Sequence, residues 1–241
     1  MSNPKLSIII PAHNEAARLP KTLQDVHKYV TSLPYEVEVL VVENASSDAT
    51  AAIVREAMPA MPELHLLELT EPGKGNAIHH GMQQATGAWR FMADADLSMS
   101  IAQVSRFIPP QLEDADVAIA SREAKGAHRI NEPIFRHFVG RVFNALVQIL
   151  VLPGIQDSQC GFKCFTAEAA VLVFPLQTEK GWSFDVELLA IARENGLKIV
   201  EVPVDWTYFA GSRMNVFKEA FRMASDLLRI RRKRSSGAYS A

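Results

Sequence analysis

Residues 6–19, LSIIIPAHNEAARL, decide the fold. Leu6–Ile10 is a short run, apolar but for Ser7, too short for a helix and closed by Pro11. It reads as a strand buried on both faces. Apolar residues then recur at helical spacing across 16–32, at Leu19, Leu23, Val26 and Val30. A strand followed by a helix begins a βαβ unit, and the alternation continues down the chain. Further strands are expected at Val37–Val42, Leu64–Leu69, Trp89–Ala93 and Val117–Ala120. Helices are expected at 47–58, opened by the cap chemistry of Ser46, Ser47 and Asp48, at 74–85, and near 101–108. Right-handed crossovers turn such a pattern into a mostly parallel sheet covered on both faces. The expected class is α/β, a Rossmann-like single domain. The second half is less regular. Its expected elements are an amphipathic helix over about 134–152, helices at 167–174 and 182–195, a strand at 198–202 and a last helix from about 214 to 232.

The residues after the first strand exclude several chemistries. PAHNEAARL contains no glycine, so a dinucleotide fingerprint is missing. Gly73-Lys74-Gly75-Asn76 sets a lysine between glycines, but no Ser or Thr comes next to make a phosphate loop. No G-x-S-x-G nucleophile elbow occurs. Cys160 and Cys164 have no second pair to complete a zinc site, and read as reduced, buried small side chains.

The net charge of −2 gives no reason to expect nucleic acid as a partner, but it hides an asymmetry. Residues 229–234, RIRRKR, hold five of the 25 basic residues; without them 20 basic residues face 27 acidic ones. The most apolar stretch, 138–155, is broken by Arg141, Asn144 and Gln148, and no spanning helix is expected. The five-residue run near the start is too short for a signal-peptide core. These features suggest a cytoplasmic protein. The helix at 134–152 and the basic last helix could each lie on a membrane surface.

Chemistry concentrates in WRFMADADLS, residues 89–98. Period-two alternation sends Asp94 and Asp96 to one side, at the carboxyl end of a parallel strand, where open α/β sheets bind ligands. Their repulsion calls for a cation, and Mg2+ or Mn2+ with phosphate oxygens would satisfy it.

Four segments, SIIIPAHNEAARL, VLVVENASSDAT, EPGKGNAIHHGM and FMADADLS, stand in the order found in family-2 glycosyltransferases of the GT-A fold, and the chain resembles that family. DSQCGFKCF, GWSFDVELLAIA and IVEVPVDW are similar to the subgroup that uses a polyprenyl phosphate acceptor, nearest the dolichyl-phosphate β-glucosyltransferases. The likeness covers about residues 5–213. Two departures stand out: Glu43-Asn44 replaces the Asp-Asp common at the base-binding turn, and His13 replaces a small or aromatic residue.

The resemblance implies a nucleotide-diphosphate sugar donor, UDP-glucose first, and an inverting transfer. Residues about 5–125 would be the donor half, 126–213 the acceptor half and 214–241 an amphipathic basic tail. Pro11, Ala12, Asn14 and Glu15 would line the nucleotide, with Glu43 at the base or ribose and Lys74 at the base or diphosphate. Asp94 would contact the sugar-nucleotide and Asp96 would hold the metal. Arg122 and Lys163 would grip the acceptor phosphate, helped by Arg136, Arg141 and Arg213. Asp157 would orient Lys163 or an arginine. Peripheral membrane contact is implied by a lipid acceptor, and a homo-oligomer is left open. The alternatives are a GDP-mannose donor, a water-soluble acceptor, or a non-catalytic nucleotide-sugar sensor. His13, His79 and His80 read as polar surface or loop residues, and Asp185 and Glu187 as helix-start acids or a structural ion pair.

Overall fold

A computed structural model describes residues 4–209 and 216–240, the side chains of 216–222 and 224 excepted. The strands are β1 (Leu6–Ala12), β2 (Val37–Asn44), β3 (Leu64–Leu69), β4 (Trp89–Met92), β5 (Val117–Ser121), β6 (His128–Ile130), β7 (Lys163–Thr166), β8 (Ile199–Pro203) and β9 (Asp205–Thr207). The α-helices are α1 (Leu19–Val30), α2 (Thr50–Ala57), α3 (Lys74–Gln84), α4 (Ile134–Leu150), α5 (Ala167–Val173), α6 (Phe184–Glu194) and α7 (Val216–Ser235). Ile101–Phe107 is a 3-10 helix.

One seven-stranded sheet runs β3-β2-β1-β4-β7-β5-β8, and β6 pairs with β9 in a small ribbon. Every pairing in the large sheet is parallel except those of β7, which is antiparallel to both β4 and β5. Two strands from the second half complete the sheet: β7 is inserted between β4 and β5, and β8 forms the edge beside β5. The expected parallel α/β sheet is present, with this one reversal.

Period-two alternation sorts β1 between two cores. Ile9 packs with Leu40, Val42, Ala77 and Ile78 on the α3 side. Ile8 and Ile10 pack with Val39, Val41, Leu19 and Leu23 on the α1 side. The helical stripe Leu19, Leu23, Val26 and Val30 is buried as its spacing requires. α2 starts at Thr50 rather than 47, with no side-chain cap at its N-cap residue Ala49. Ser46 and Ser47 bind the β1–α1 loop instead, while Asp48 serves both sides: its Oδ1 accepts the Thr50 N–H at 2.9 Å and its Oδ2 the Ala16 N–H. Cys160 and Cys164 are free and buried, as expected.

Candidate active site

The carboxyl ends of β1, β2 and β4 meet at one edge of the sheet, and short polar side chains tie their loops together. Asn14, at φ 55°, donates its backbone N–H to Ser46 Oγ at 3.0 Å, and its Oδ1 accepts from Ser47 N at 2.8 Å. Asp48 accepts from Ala16 N at 3.1 Å. Glu15 donates its N–H to Thr50 Oγ1 at 2.9 Å. Asn44 reaches both neighbours: its Nδ2 donates to Ala12 O at 3.3 Å and its Oδ1 accepts from Gly73 N at 2.9 Å. Pro11 and Ala12 end β1, fully inside the structure. Glu43 is 6% exposed and accepts the Ser46 N–H, so it braces the Ala45 turn. The loops form a preset rim because each backbone donor has a short side-chain partner. His13, His79 and His80 are partly or fully exposed, as the sequence suggested.

Below this rim sits an acid–cation cluster. β4 ends at Met92, so Asp94-Ala95-Asp96 is a turn rather than strand. The alternation survives nonetheless: Ala93 and Ala95 are buried while Asp94 and Asp96 stand half open. Ser98 N donates to Asp96 Oδ1 at 3.0 Å. Lys74 opens α3 and places Nζ 2.5 Å from Asp94 Oδ1. The same ammonium lies 5.4 Å from the centre of the Trp182 ring. Burial works against the Lys74 charge, but Asp94, Asp185 and Asp96 together hold its pKa above the ordinary lysine value. Gly161 makes the approach of Asp94 feasible: a Cβ there would stand 1.9 Å from Asp94 Oδ2.

Lys163 departs from the sequence reading. It is 0% exposed, and its Nζ donates to Cys160 O at 2.7 Å and to Asp185 Oδ1 at 2.5 Å. A buried ammonium committed to two acceptors cannot reach out to an acceptor phosphate. It braces β7 against α6 from within. Burial raises the Asp185 pKa although Lys163 and Lys74 oppose it.

Arg122 and Asp157 do come together. Nε and Nη2 of Arg122 donate to the two carboxylate oxygens at 2.7 and 2.9 Å, and its backbone N–H donates to Oδ2 at 3.0 Å. Burial would raise the Asp157 pKa; Arg122 overrides it and holds the carboxyl below its ordinary range. The guanidinium also lies 5.2 Å from the Trp206 ring centre.

A cavity of about 250 Å3 joins these groups. Lys74, Asp94, Trp182 and Asp185 line it together with Arg122, Arg129, Arg136 and Arg141, and Glu123, Glu132 and Asp157 lie among the arginines. Arg129 is held by Glu123 and Glu132, and Arg141 lies 3.3 Å from Glu123. Arg136 stands 5.0 Å from the Tyr208 ring centre, and among the described residues no carboxylate pairs with it. Arg213 lies outside the described residues. The rings of Trp182, Trp206 and Tyr208 were missed by sequence reasoning; aromatic residues in GWSF and VDWTY were the available signal.

The two amphipathic helices differ sharply. On α4, Phe135, Phe138, Val142, Leu146 and Ile149 fall on one stripe, and all are exposed, at 65, 62, 48, 41 and 76%. Only Asn144 and Val147 of α4 are buried. On α7 the apolar stripe, Met223, Leu227 and Ile230, is buried instead. Three of the five cations at 229–234 are spent internally. Arg229 forks onto Glu179 at 2.6 Å to each oxygen, Lys233 donates to Thr178 Oγ1, and Arg234 pairs with Glu194 at 2.5 Å. Arg231, Arg232 and Leu228 face outward. Of the five charges at 229–234, Arg231 and Arg232 are left without an ion pair among the described residues. Among the described residues no helix is long and apolar enough to cross a membrane.

Residues 7–170 match the family described as Glycosyl transferase family 2. The chain belongs to that family. Relatives of the transferase include the dolichyl-phosphate beta-glucosyltransferase of Dictyostelium discoideum, 34% identical over 96% of this chain and 75% of the relative. The Homo sapiens protein of the same name is 33% identical over 98% and 77%. Among solved structures, glucosyl-3-phosphoglycerate synthase from Mycobacterium tuberculosis, in complex with Mn2+, UDP-glucose and phosphoglyceric acid, superposes with a TM-score of 0.73. It covers 95% of this chain and 79% of its own, at 17% identity, which establishes the shared GT-A fold. Among the described residues no group of three His, Cys, Asp or Glu gathers as a metal cage. Asp94 and Asp96 still fit Mg2+ or Mn2+: they offer a pair of hard oxygen donors, with phosphate oxygens or water left to complete the shell.

Proposed function

We propose that the transferase moves glucose from UDP-glucose to the phosphate of a polyprenyl lipid of the dolichyl type, with inversion at the anomeric carbon. One observation carries this reading. One cavity is lined both by Asp94, Asp185 and Lys74 and by four arginines, and is flanked by α4, whose apolar stripe faces outward. The first group suits a metal-bound sugar nucleotide, the arginines a phosphate, and the stripe a lipid surface. The relatives named for dolichyl phosphate support the acceptor, and the UDP-glucose complex of the structural neighbour supports the donor.

In this reading residues 5–125 carry the donor. Pro11, Ala12, Asn14 and Glu15 form the nucleotide rim, with Glu43 fixing its turn. Lys74 faces the diphosphate, Asp94 the sugar, and Asp96 with Asp94 would hold Mg2+ or Mn2+. A divalent ion there neutralises charge on the departing diphosphate. The acceptor phosphate is already anionic, so positioning matters more than proton removal. One of its oxygens bonds to the anomeric carbon, the bond from that carbon to the UDP oxygen breaks, and UDP leaves with the electron pair. Residues 126–213 supply the acceptor side. Arg136 has the freest guanidinium on that wall, and Arg122, locked by Asp157, offers a fixed edge. Peripheral binding through α4 brings the cavity to the headgroup layer. The two free thiols suit a reducing compartment, hence the cytoplasmic face.

A water-soluble phosphorylated acceptor is the second reading, because the neighbour's complex with phosphoglyceric acid shares the fold. The exposed stripe of α4 favours the lipid. Donor choice is tested by thermal shift with UDP-glucose and GDP-mannose, each with Mn2+. Stabilisation by UDP-glucose alone is expected; stabilisation by GDP-mannose alone would replace the donor.

A further inference from the structure

The 177–184 segment lies between the Gly73-Lys74-Gly75 turn and the last helix. On the turn side the contact is backbone against backbone. Gly73 sits at φ 144°, and a Cβ there would stand 2.6 Å from Lys180 O; one on Gly75 would stand 2.6 Å from Glu179 O. Asn76 N donates to Lys180 O at 3.3 Å, and Gln177 Nε2 donates to Gly75 O at 2.8 Å. With the two glycines letting backbone meet backbone and Gln177 tying them, a shift of this segment is passed to Lys74 with little slack. Trp182, whose ring the Lys74 ammonium faces, belongs to the same segment.

On the other side, four hooks from the last helix and the turn after it land on this segment or on the Glu187 carboxylate that anchors it. Arg229 forks onto Glu179, and Ser183 Oγ donates to Asp226 Oδ2 at 2.6 Å. Lys233 donates to Thr178 Oγ1. The fourth hook is indirect. Tyr239, 1% exposed, donates its hydroxyl at 2.8 Å to Glu187, whose side chain is fully buried. That carboxylate also accepts Thr178 N at 2.8 Å and Glu179 N at 2.6 Å. Thr178 Oγ1 donates to the same oxygen as Tyr239, and Lys233 Nζ lies 3.9 Å from it, so a carboxylate that loses the Tyr239 hydroxyl bears harder on the segment's own donors and on Lys233. Arg234 on the same helix points elsewhere, to Glu194 and Val151 O.

We propose that Tyr239 and Arg229 are positioning residues for the sugar-nucleotide site: through Glu187 and Glu179 they fix the 177–184 segment, which in turn fixes Lys74 and Trp182. The proposal rests on the reading of Lys74 as a donor-facing group. It gives the last helix a task inside the enzyme besides any at a lipid surface.

The test compares Tyr239→Phe, Arg229→Ala and Arg234→Ala in the full chain. Donor and acceptor KM, kcat, melting temperature and amide exchange are measured for each. Tyr239→Phe keeps the buried ring, so the fold is retained. Both Tyr239→Phe and Arg229→Ala are expected to raise the UDP-glucose KM about five- to tenfold with acceptor KM unchanged, the scale of coupling passed through packed contacts. Exchange should rise at 72–76 and 177–184. Arg234→Ala should lower the melting temperature and leave donor KM alone. An unchanged donor KM in the first two variants would overturn the proposal, as would an equal rise in Arg234→Ala. Should the wild type transfer nothing from UDP-glucose, the function reading fails, and the exchange at 72–76 and 177–184 then decides this proposal alone.

Discussion

The donor rim and the acceptor wall are built on different principles. The rim comes from consecutive βα turns, where Asn14, Asn44, Ser46 and Asp48 bond to backbone a few ångströms away. The wall is assembled from groups far apart in the chain: Arg122 with Asp157, and α4 against the rest. Local polar turns tolerate change poorly at the site but cost the fold little. Buried ion pairs do the reverse, because losing one partner strands a charge. Variants in the two regions should therefore fail in different ways.

The largest effect is expected on the donor side. Asp96→Asn should lower kcat about a thousandfold, the scale of losing a group that holds charge in the transition state, with little change in melting temperature. A large loss of stability would break the contrast. Next comes Asp157→Ala on the acceptor wall, which leaves Arg122 unpaired. A loss of about 3 kcal/mol in denaturant unfolding is expected. The same pair sets an acid limit. The Asp157 pKa is depressed on folding, so its contribution is present above the unfolded carboxylate pKa of about 3.9 and is lost as pH falls through the lower folded value. Asp157→Asn should flatten the fall of stability with pH in that acidic window, as followed by circular dichroism.

Smaller effects separate the two amphipathic helices. Replacing Phe135 and Phe138 by Ser should weaken liposome partitioning about thirtyfold, on the order of 1 kcal/mol per half-buried ring. Turnover of a short-chain, detergent-dispersed acceptor should be unaffected. Replacing Arg231 and Arg232 by Ala should weaken binding to anionic vesicles by less than the α4 change, with a ceiling of about 1 kcal/mol per charge reached only within a Debye length of the surface. If that change exceeded the α4 effect, the ranking of the two helices would be reversed.

Much of the donor side was legible because strands of six or more residues rich in apolar side chains carry a strong signal. β1, β2 and β3 were read to within two residues of their ends. β7 was missed for two reasons: it has four residues, and it starts with a lysine that is buried only because Asp185, 22 positions on, neutralises it. Such a partner has no sequence signature. The same limit misassigned Lys163 to the phosphate. It also left the basic run at 229–234 looking like one patch, when Arg229, Lys233 and Arg234 answer acids on other elements. Ser46, Ser47 and Asp48 were recognised as cap chemistry. Their targets across the β1–α1 loop depend on tertiary packing, which local propensity does not encode. For α4, periodicity found the stripe and only the structure told which way it faces.

The central claim is glucosyl transfer to a lipid phosphate. It is tested most directly by incubating the purified full chain with radiolabelled UDP-glucose, Mn2+ and liposomes containing dolichyl phosphate, beside a parallel tube containing 3-phosphoglycerate. The account predicts acid-labile label in the organic phase, matched by UDP release and dependent on Asp96. Label appearing only in a water-soluble product, or no UDP release above buffer from either acceptor, would contradict it.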